Sequence, residues 1–255
     1  MNKTISILGC GWLGKALAIE LIKKDFKING STTSQNKLAL LELKKINPFL
    51  IDLNNKNNDI APFLLSDVLI IAIPPKNIEC FENLIPKIEK SGIRKILFIS
   101  STSVYPNTNG IVTEATQTKN TRLSGIEKLF KLNINFKLTI IRFGGLFGYN
   151  RQPGNFFKSG STLNNPKGFV NLIHRNDCIR IIEQIIVKDT WGQTLNACSD
   201  SHPMRKEFYL NEFKKLGKSN LLFEEDSKNE FKIVSSQKLK TLLDYKFEFN
   251  NLLDC

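Results

Sequence analysis

The stretch Gly9-Cys10-Gly11-Trp12-Leu13-Gly14 determines the expected fold. Residues 3–8 before it have the apolar composition of a short buried strand, and residues 15–24 after it have helical spacing. A GxGxxG sequence is informative only between a strand and a helix, where it forms the turn that binds a dinucleotide. The alternative is a glycine-rich turn of the same kind that binds no ligand.

Each glycine of this motif has a separate physical role. Gly9 permits a tight turn, Gly11 allows a pyrophosphate to approach the backbone, and Gly14 allows the helix to pack closely on the strand. The first N–H groups of the helix then point at the phosphates, whose charge is also favoured by the helix dipole. We therefore expect the cofactor to contact Gly9, Gly11, Trp12, Leu13 and Gly14.

The composition is that of a globular protein with a basic surface. The 255 residues are 41% hydrophobic and carry a formal net charge of +12, which allows one large domain or a domain with a smaller lobe. The basic residues are scattered without a dense run, so we do not expect nucleic acid as a partner. The longest apolar run, residues 68–73, is too short to cross a membrane, and we expect no membrane partner either.

Five cysteines are spread along the chain without a CxxC pair and without a Cys/His spacing typical of a metal site. Their odd number and wide dispersal disfavour a disulfide framework. The first predicted strand begins so early that we expect no signal peptide. The sequence therefore predicts a cytoplasmic protein with no metal site.

Strand-like and helix-like segments alternate along the first two-thirds of the chain. The predicted strands after the first are residues 27–30, 49–53, 68–73, 95–100 and 138–142. Helical spacing occurs between them at residues 38–45, 78–91 and 124–132. This alternation predicts an α/β fold with a Rossmann-type, doubly wound parallel sheet.

The pattern becomes irregular in the last part of the chain. Residues 151–165 are rich in Gly, Asn, Pro and Phe, as in a ligand-facing loop, and helical spacing returns at residues 177–187 and 205–216. We predict a dinucleotide-binding Rossmann core over residues 1–148. Residues 149–255 are predicted to form a mixed C-terminal part that contributes a small substrate lobe and late sheet elements.

The end of the second strand indicates which dinucleotide binds. NAD-binding proteins usually carry an acidic residue there, which accepts hydrogen bonds from the ribose hydroxyls. Residues 31–37 contain no acid, but they contain several hydroxyl groups and one lysine. We therefore predict NADP(H) in preference to NAD(H), with the 2′-phosphate near Thr32, Thr33, Ser34 and Lys37. An ordinary polar turn has a similar composition.

Further cofactor contacts are expected where the next two strands end. Asp52 follows the third strand, where its carboxylate can accept a hydrogen bond from the adenine amino group, with Leu53 beside it. The same aspartate is equally ordinary as a strand-end cap. Ile73 and Pro74 follow the fourth strand and are expected at the same sheet edge.

Four later segments carry a family resemblance. They read FISSTSVY at residues 98–105, RFGGLFG at residues 142–148, VNLIHRND at residues 170–177, and SQKL followed by LDY at residues 236–245. In this order they resemble the motifs of extended short-chain dehydrogenases/reductases, the superfamily of nucleotide-sugar epimerases and dehydratases. The GCGWLG start, the SSTSVY segment, a PGNFF loop and an HP segment resemble an atypical bacterial branch described as nucleoside-diphosphate-sugar epimerase-like.

The resemblance implies a catalytic arrangement from which one residue is missing. In the superfamily, a Tyr-x-x-x-Lys pair supplies the general acid/base and binds the nicotinamide ribose. In this chain Ser124 stands in place of the tyrosine, Lys128 in place of the lysine, and Ser101 at the position that binds the reacting oxygen. We expect these three residues to be catalytic, with Lys128 also binding the cofactor. Because a serine hydroxyl is a poor acid, another group must move the proton, and a desolvated Lys128 amine with a lowered pKa would be able to do so, with His174 in reserve.

Candidate substrate contacts come from the C-terminal part. The resemblance places His174 near the substrate cleft, although a lone histidine among apolar residues is more often structural. Arg151 and Arg205 have the chemistry to grip an anionic group, and both are equally ordinary as surface charges. Phe156 belongs to the loop expected to face the ligand.

These observations lead to three hypotheses. The first is an NADP(H)-dependent oxidoreductase or epimerase-like enzyme that acts on a small, anionic or sugar-nucleotide-like substrate, with a homodimer left open. The second, favoured by the missing tyrosine, is a non-catalytic NADP(H) sensor that reports redox state to a partner. The third is a reductase of the pyrroline-carboxylate or hydroxyacid type, indicated by GxGxLG and by Ile73-Pro74-Pro75, although the long helical C-terminal domain of that class is not evident.

Overall fold

The computed structural model describes residues 3–55, 59–75 and 77–255. The chain divides into two compact units. Unit 1 comprises residues 1–100, 120–141 and 182–194, and unit 2 comprises residues 101–119, 142–181 and 195–255. The units therefore alternate along the chain, and this division differs from the predicted single boundary after residue 148.

The strands of the described residues are β1 (Thr4–Leu8), β2 (Lys27–Thr32), β3 (Asn47–Leu50), β4 (Val68–Ile71), β5 (Lys95–Ser101), β6 (Gly110–Val112), β7 (Lys137–Phe143), β8 (Gly145–Phe147), β9 (Thr162–Asn164), β10 (Leu172–His174), β11 (Thr194–Ala197), β12 (Leu222–Glu224) and β13 (Lys232–Val234). The helices are α1 (Trp12–Ile22), α2 (Leu38–Glu42), α3 (Ile78–Lys90), α4 (Arg122–Lys131), α5 (Arg175–Val187), α6 (Arg205–Lys215) and α7 (Gln237–Leu243).

A seven-stranded sheet confirms the predicted α/β, Rossmann-type fold. Its strand order is β11-β7-β5-β4-β1-β2-β3, and β1 pairs in parallel with β2 on one side and β4 on the other. The chain moves outward from β1 to β3 and then returns to β4 on the opposite side. Ligands of doubly wound sheets bind at such a reversal, beyond the carboxyl ends of the strands.

Burial explains why β4 reads as a continuous apolar run. All four of its residues are buried, and four of the five residues of β1 are buried as well. A central parallel strand is covered on both faces, and so it shows no alternation of polar and apolar residues. The phenylalanines of unit 1 fill the same core, where Phe81, Phe98 and Phe130 pack with ring centroids 5.6–6.2 Å apart.

Unit 2 contains three small parallel strand pairs, β8 with β10, β9 with β12, and β6 with β13. Its core includes Phe147, Leu163, Phe208, Phe213 and Leu252. The C-terminal segment is thus part of this core, since Leu252 is fully buried. In the described residues no helix is long and apolar enough to cross a bilayer.

Candidate functional site

The turn between β1 and α1 requires glycine at two positions. Gly9 has a φ of +103°, and a Cβ added there would lie 2.6 Å from Ile73 Cγ2 and 2.8 Å from the carbonyl oxygen of Ala72. A Cβ added to Gly14 would lie 2.1 Å from the carbonyl oxygen of Gly9. All three separations are shorter than van der Waals contacts, so the helix can meet the strand this closely only with glycine at both positions.

The middle glycine faces open space. A Cβ added to Gly11 would have no heavy atom within 4 Å, and its φ is −80°, which any residue can adopt. Gly11 is the N-cap of α1 and provides no side-chain hydrogen bond to the first turn. Packing therefore does not require glycine here. A group that approaches the backbone from outside, such as a pyrophosphate at a helix N-terminus, does require it.

Ser31 on β2 holds the glycine turn in place. Its Oγ accepts a hydrogen bond from the backbone N–H of Gly9 at 2.9 Å, and its carbonyl oxygen accepts one from Cys10 at 2.8 Å. The Cys10 side chain points inward, where burial raises the pKa of its thiol to about 12. The cysteine is therefore a packing residue. The sequence analysis missed Ser31, because its role depends on a pairing across strands.

A cavity of about 340 Å³ lies where the strands of unit 1 end. The carboxyl ends of β1 to β4 and the start of α3 surround it. Of the residues predicted to bind the cofactor, those that line the cavity are Gly9, Gly11, Thr32, Thr33, Lys37, Asp52, Leu53, Ile73 and Pro74. The structure thus brings together in one cavity residues that four different strands supply.

Some predicted cofactor residues lie elsewhere. Trp12, Leu13, Gly14, Ser34 and Lys128 do not line this cavity. Leu13 packs in the core with 7% of its surface exposed, and Gly14 acts through the helix packing described above. Cofactor contacts from Trp12, Ser34 and Lys128 stay predictions.

Three further polar residues line the cavity. Asn54 follows β3, Asn77 is the N-cap of α3, and Cys80 lies in the first turn of α3. The Cys80 thiol is 3.3 Å from Asn54 Oδ1. The sequence analysis did not identify these residues because only the packing of α3 brings them to the end of β3.

Asp52 is the one acidic side chain among the described residues that line the cavity. Its Oδ1 accepts hydrogen bonds from the backbone N–H of Asn54 at 3.0 Å and from the Asn54 side chain at 2.8 Å. This arrangement caps the turn after β3, as one of the two interpretations of Asp52 expected. The exposed Lys37 lines the same cavity at the end of β2.

The three residues predicted to be catalytic have different surroundings. The Ser124 hydroxyl is part of a capping box with Thr121 at the start of α4, accepting from the Thr121 N–H at 2.9 Å. Lys128 is exposed on the same helix, and its catalytic role stays a prediction. Ser101 is half-buried in unit 2, and its Oγ accepts a hydrogen bond from the Ser103 N–H at 3.1 Å.

A buried carboxylate lies beside the tyrosine-equivalent position. Glu127 on α4 is 2% exposed, and its Oε1 accepts a 2.6 Å hydrogen bond from the Ser100 hydroxyl at the end of β5. In the register of β4 and β5, Ile71 at the end of β4 pairs with Phe98, two residues before Ser100. Charged side chains are rarely buried without a specific partner. This pair was not predicted from the sequence, because Ser100 and Glu127 are 27 residues apart and only the packing of α4 on β5 brings them together.

His174 in unit 2 is a packing residue. Its ring lies 3.7 Å from the Phe249 ring centroid and stacks on Tyr149 at 5.7 Å. A Cβ added to Gly148 would lie 2.3 Å from His174 Nε2. Nε2 of the ring lies against Gly148, and Nδ1 accepts a hydrogen bond from the Asn176 N–H. Because both ring nitrogens are occupied by these neighbours, the structural interpretation of His174 is favoured. A substrate contact from it stays a prediction.

The aspartate of the VNLIHRND segment binds the C-terminal segment of unit 2. Asp177 is fully buried, and its Oδ1 accepts from the Tyr245 hydroxyl at 2.7 Å and from the Glu248 N–H at 3.0 Å. Its Oδ2 accepts from the Phe249 N–H at 3.1 Å. Two segments that the family resemblance treats as separate motifs are therefore parts of one hydrogen-bond network.

The arginine of the RFGGLFG segment is buried in unit 2 as well. Arg142 donates a 2.7 Å hydrogen bond to the Tyr105 hydroxyl, which donates in turn to Asn196 Oδ1 at 2.8 Å. All three side chains are buried. The other substrate candidates lie nearer the surface, because Arg151 and Phe156 are exposed and Arg205 is half-buried at the start of α6.

Comparison with known proteins identifies similar sequences and similar folds. Residues 4–102 match a family described as coenzyme F420-dependent NADP oxidoreductases. Protein YeeZ of Escherichia coli K12 is 28% identical over 265 aligned positions, which cover 97% of this chain and 96% of YeeZ. A protein of unknown function from Silicibacter pomeroyi has a TM-score of 0.84 at 18% identity, covering 99% of this chain and 96% of that one.

An enzyme of assigned activity has the same architecture. The UDP-glucuronic acid 4-epimerase of Bacillus cereus, solved with UDP-glucuronic acid and NAD, has a TM-score of 0.81 at 19% identity, covering 98% of this chain and 96% of the epimerase. The chain has the fold of the NAD-dependent epimerases. The resemblance to atypical extended short-chain dehydrogenases is thereby confirmed at the level of the fold.

We predict different stability effects for two alanine substitutions in the glycine turn of this epimerase-like fold. Gly14→Ala places a Cβ 2.1 Å from the Gly9 carbonyl oxygen, so it should lower the free energy of unfolding by about 2–3 kcal/mol. Gly11→Ala meets no atom within 4 Å and should leave the free energy of unfolding nearly unchanged. Urea denaturation of both variants measures the difference. Equal destabilisation would contradict the packing described for α1.

We also predict that stability falls as the pH falls from about 7.5 to 5.5. Burial lowers the pKa of His174 and of His202 below the ordinary value of 6.5. Below about pH 6.5 the unfolded chain binds protons that the folded chain does not, so acidification favours unfolding. His174→Phe keeps a ring in the stack and should reduce this dependence. Thermal denaturation at several pH values measures it, and an unchanged slope would refute the contribution of His174.

Proposed function

We propose that this protein is an NADP(H)-binding oxidoreductase, epimerase-like in fold, that acts on a small or sugar-nucleotide-like substrate. The cavity at the carboxyl ends of β1 to β4 is the observation that carries the proposal. It lies at the reversal of strand order between β1 and β4, the position at which doubly wound sheets bind dinucleotides.

The glycine turn fits a bound pyrophosphate. Gly9 and Gly14 bring the start of α1 against β1, and Gly11 leaves the outer side of the turn open to a ligand. A nicotinamide dinucleotide supplies hydride transfer when it is bound, whereas the protein supplies binding and orientation. Residues of this chain that would hold it include Gly11, Thr33, Asp52 and Ile73.

The preference for NADP(H) is proposed from charge. None of the cavity residues that directly follow β2 is acidic. Two exposed residues, Thr33 and Lys37, line the cavity at this position. An anionic 2′-phosphate would gain a charge-assisted hydrogen bond from the lysine. Asp52 follows β3 instead and is engaged by Asn54.

We expect NADPH to bind at least about tenfold more tightly than NADH, because one charge-assisted hydrogen bond contributes roughly 1.5–3 kcal/mol. Isothermal titration calorimetry with the two cofactors measures this ratio. Lys37→Glu should abolish the preference, whereas Lys44→Glu, at an exposed position outside the cavity, should preserve it. Equal affinities in the unmodified protein would refute the NADP(H) assignment.

Gly11→Val provides the control for the location of the site. The valine side chain extends to the side of the turn where a Cβ meets no protein atom, so the variant should fold and lose binding of both cofactors. A folded Gly11→Val protein with ordinary affinity would show that the glycine turn is not the cofactor site.

We propose that Ser101 and Lys128 are the main catalytic residues and that Ser124 has a smaller role. The Ser124 hydroxyl is engaged in the helix cap, whereas the Lys128 amine is exposed. The buried Ser100–Glu127 pair adds a carboxylate that holds α4 against β5. Arg151, Phe156 and Arg205 remain the proposed substrate contacts. We propose a cytoplasmic protein and leave a homodimer open to measurement.

We expect NADPH oxidation with at least one carbonyl compound from a panel that includes keto-sugar nucleotides. The double variant Ser101→Ala with Lys128→Met should lose about 100-fold or more in rate, because a positioned proton donor typically contributes that much. Lys137→Met, at an exposed position at the start of β7, should retain the activity. Turnover that survives the double substitution would place the chemistry on other residues.

A further inference from the structure

A second cavity, of about 250 Å³, opens at the opposite end of the same sheet. It lies where β1, β4 and β5 begin, entirely within unit 1, and the segment after α5 closes one side. The strands between the two cavities are four to seven residues long. At about 3.3 Å per residue they separate the two cavities by roughly 15 Å, so a ligand here does not overlap the dinucleotide site.

The floor and walls of this second cavity are apolar and partly aromatic. Ile5, Val68 and Ile186 form a floor of side chains that are at most 5% exposed. The rings of Phe26 and Trp191 line the cavity and are both half-buried. Partly exposed rings over an apolar floor offer stacking area to a flat group.

The carboxylates of the cavity already have partners. Asp189 Oδ1 accepts hydrogen bonds from Lys95 Nζ at 2.5 Å and from the Trp191 indole at 2.8 Å. These two bonds lower the pKa of Asp189, so the carboxylate is charged and fixed in place. Asp67 Oδ2 accepts a hydrogen bond from the Thr4 N–H at 2.8 Å.

Two further cations, Lys3 and Arg94, line the cavity. Neither forms an ion pair within 4 Å in the part of the chain that the structure describes, although the charge of Lys3 also helps to lower the pKa of Asp189. Arg94 donates from Nη1 to the carbonyl oxygens of Ser91 and Ile93. These backbone bonds fix the guanidinium at the rim without cancelling its charge.

We propose that this cavity is a second binding site, for a small planar anion of the aromatic carboxylate class. The ring of the ligand lies against Phe26 and Trp191, and its carboxylate binds Arg94 and Lys3. Arginine is well suited to this role because its planar fork matches the two oxygens of a carboxylate. The Lys95–Asp189 ion pair holds Trp191 in position.

Trp191 provides a direct test, because the chain has two tryptophans and Trp12→Phe leaves Trp191 as the sole tryptophan, whose emission can be excited selectively over that of the tyrosines. Benzoate should change the Trp191 emission saturably, with a Kd in the range of about 0.1–10 mM. Benzamide has the ring without the charge, and inorganic phosphate has the charge without the ring. Each should bind at least about tenfold more weakly, the loss expected when one charge-assisted or stacking contribution is removed.

Substitutions in the same background locate the binding site. Arg94→Gln together with Lys3→Gln should weaken benzoate at least about tenfold, whereas the matched control Lys44→Gln, which lies outside the cavity, should not. The substitutions at Arg94, Lys3 and Lys44 should leave the NADPH affinity equal to that of the parent Trp12→Phe protein. No saturable response to benzoate, equal binding of benzamide, or equal weakening in the control would each overturn the proposal. The comparison of benzoate with benzamide needs only the Trp12→Phe protein and does not depend on how the cation variants fold.

Discussion

The contact between Gly14 of α1 and the backbone of Gly9 is the constraint on which the cofactor cavity depends. Since a Cβ at residue 14 would lie 2.1 Å from the Gly9 carbonyl oxygen, the helix touches the end of β1 with no side chain between them. This approach aims the N-terminus of α1 across the carboxyl edge of the sheet. Ser31 then fixes the turn from the neighbouring strand. These two restraints place α1 and β2 against the inner side of the turn. The outer side of the turn, at Gly11, remains open.

The proposed cofactor residues and the proposed catalytic residues depend on different features of the chain. Cofactor binding requires backbone geometry and strand ends, which glycine and short polar residues supply. The proposed catalysis requires a positioned acid, and the residue that the family resemblance aligns with the tyrosine is a serine whose hydroxyl belongs to the capping box of α4. A capping hydroxyl stabilises the helix by satisfying an orphan N–H group, a role that a phenol does not perform. The Ser124 hydroxyl therefore has a structural role, and the proposed catalysis falls to Lys128 and Ser101.

The sequence predicted the parts of this structure that depend on local periodicity. The glycine turn, β1, β4 and the order of strands and helices could all be predicted, because each follows from spacing within a few residues. Ser31, Asn77 and Cys80 could not be predicted, since they reach the cavity only through pairing and packing of distant segments. The burial of Glu127 escaped prediction for a related reason. A glutamate on an amphipathic helix is ordinarily solvated, and here the facing Ser100 hydroxyl and the Lys131 ammonium 3.9 Å away help to make its burial tolerable.

In unit 2, the histidine and the aspartate of the VNLIHRND segment have structural roles. His174 fills the space over Gly148 and stacks on Phe249, while Asp177 binds the backbone of the same C-terminal segment through two N–H groups. Removing either side chain would leave buried donors or an open space beneath Phe249. A buried group with several partners is costly to replace, since each partner would lose its hydrogen bond in a site that water does not reach. The histidine and aspartate of this motif are therefore explained by the packing of the C-terminal segment, and a contact with substrate is not needed to account for them.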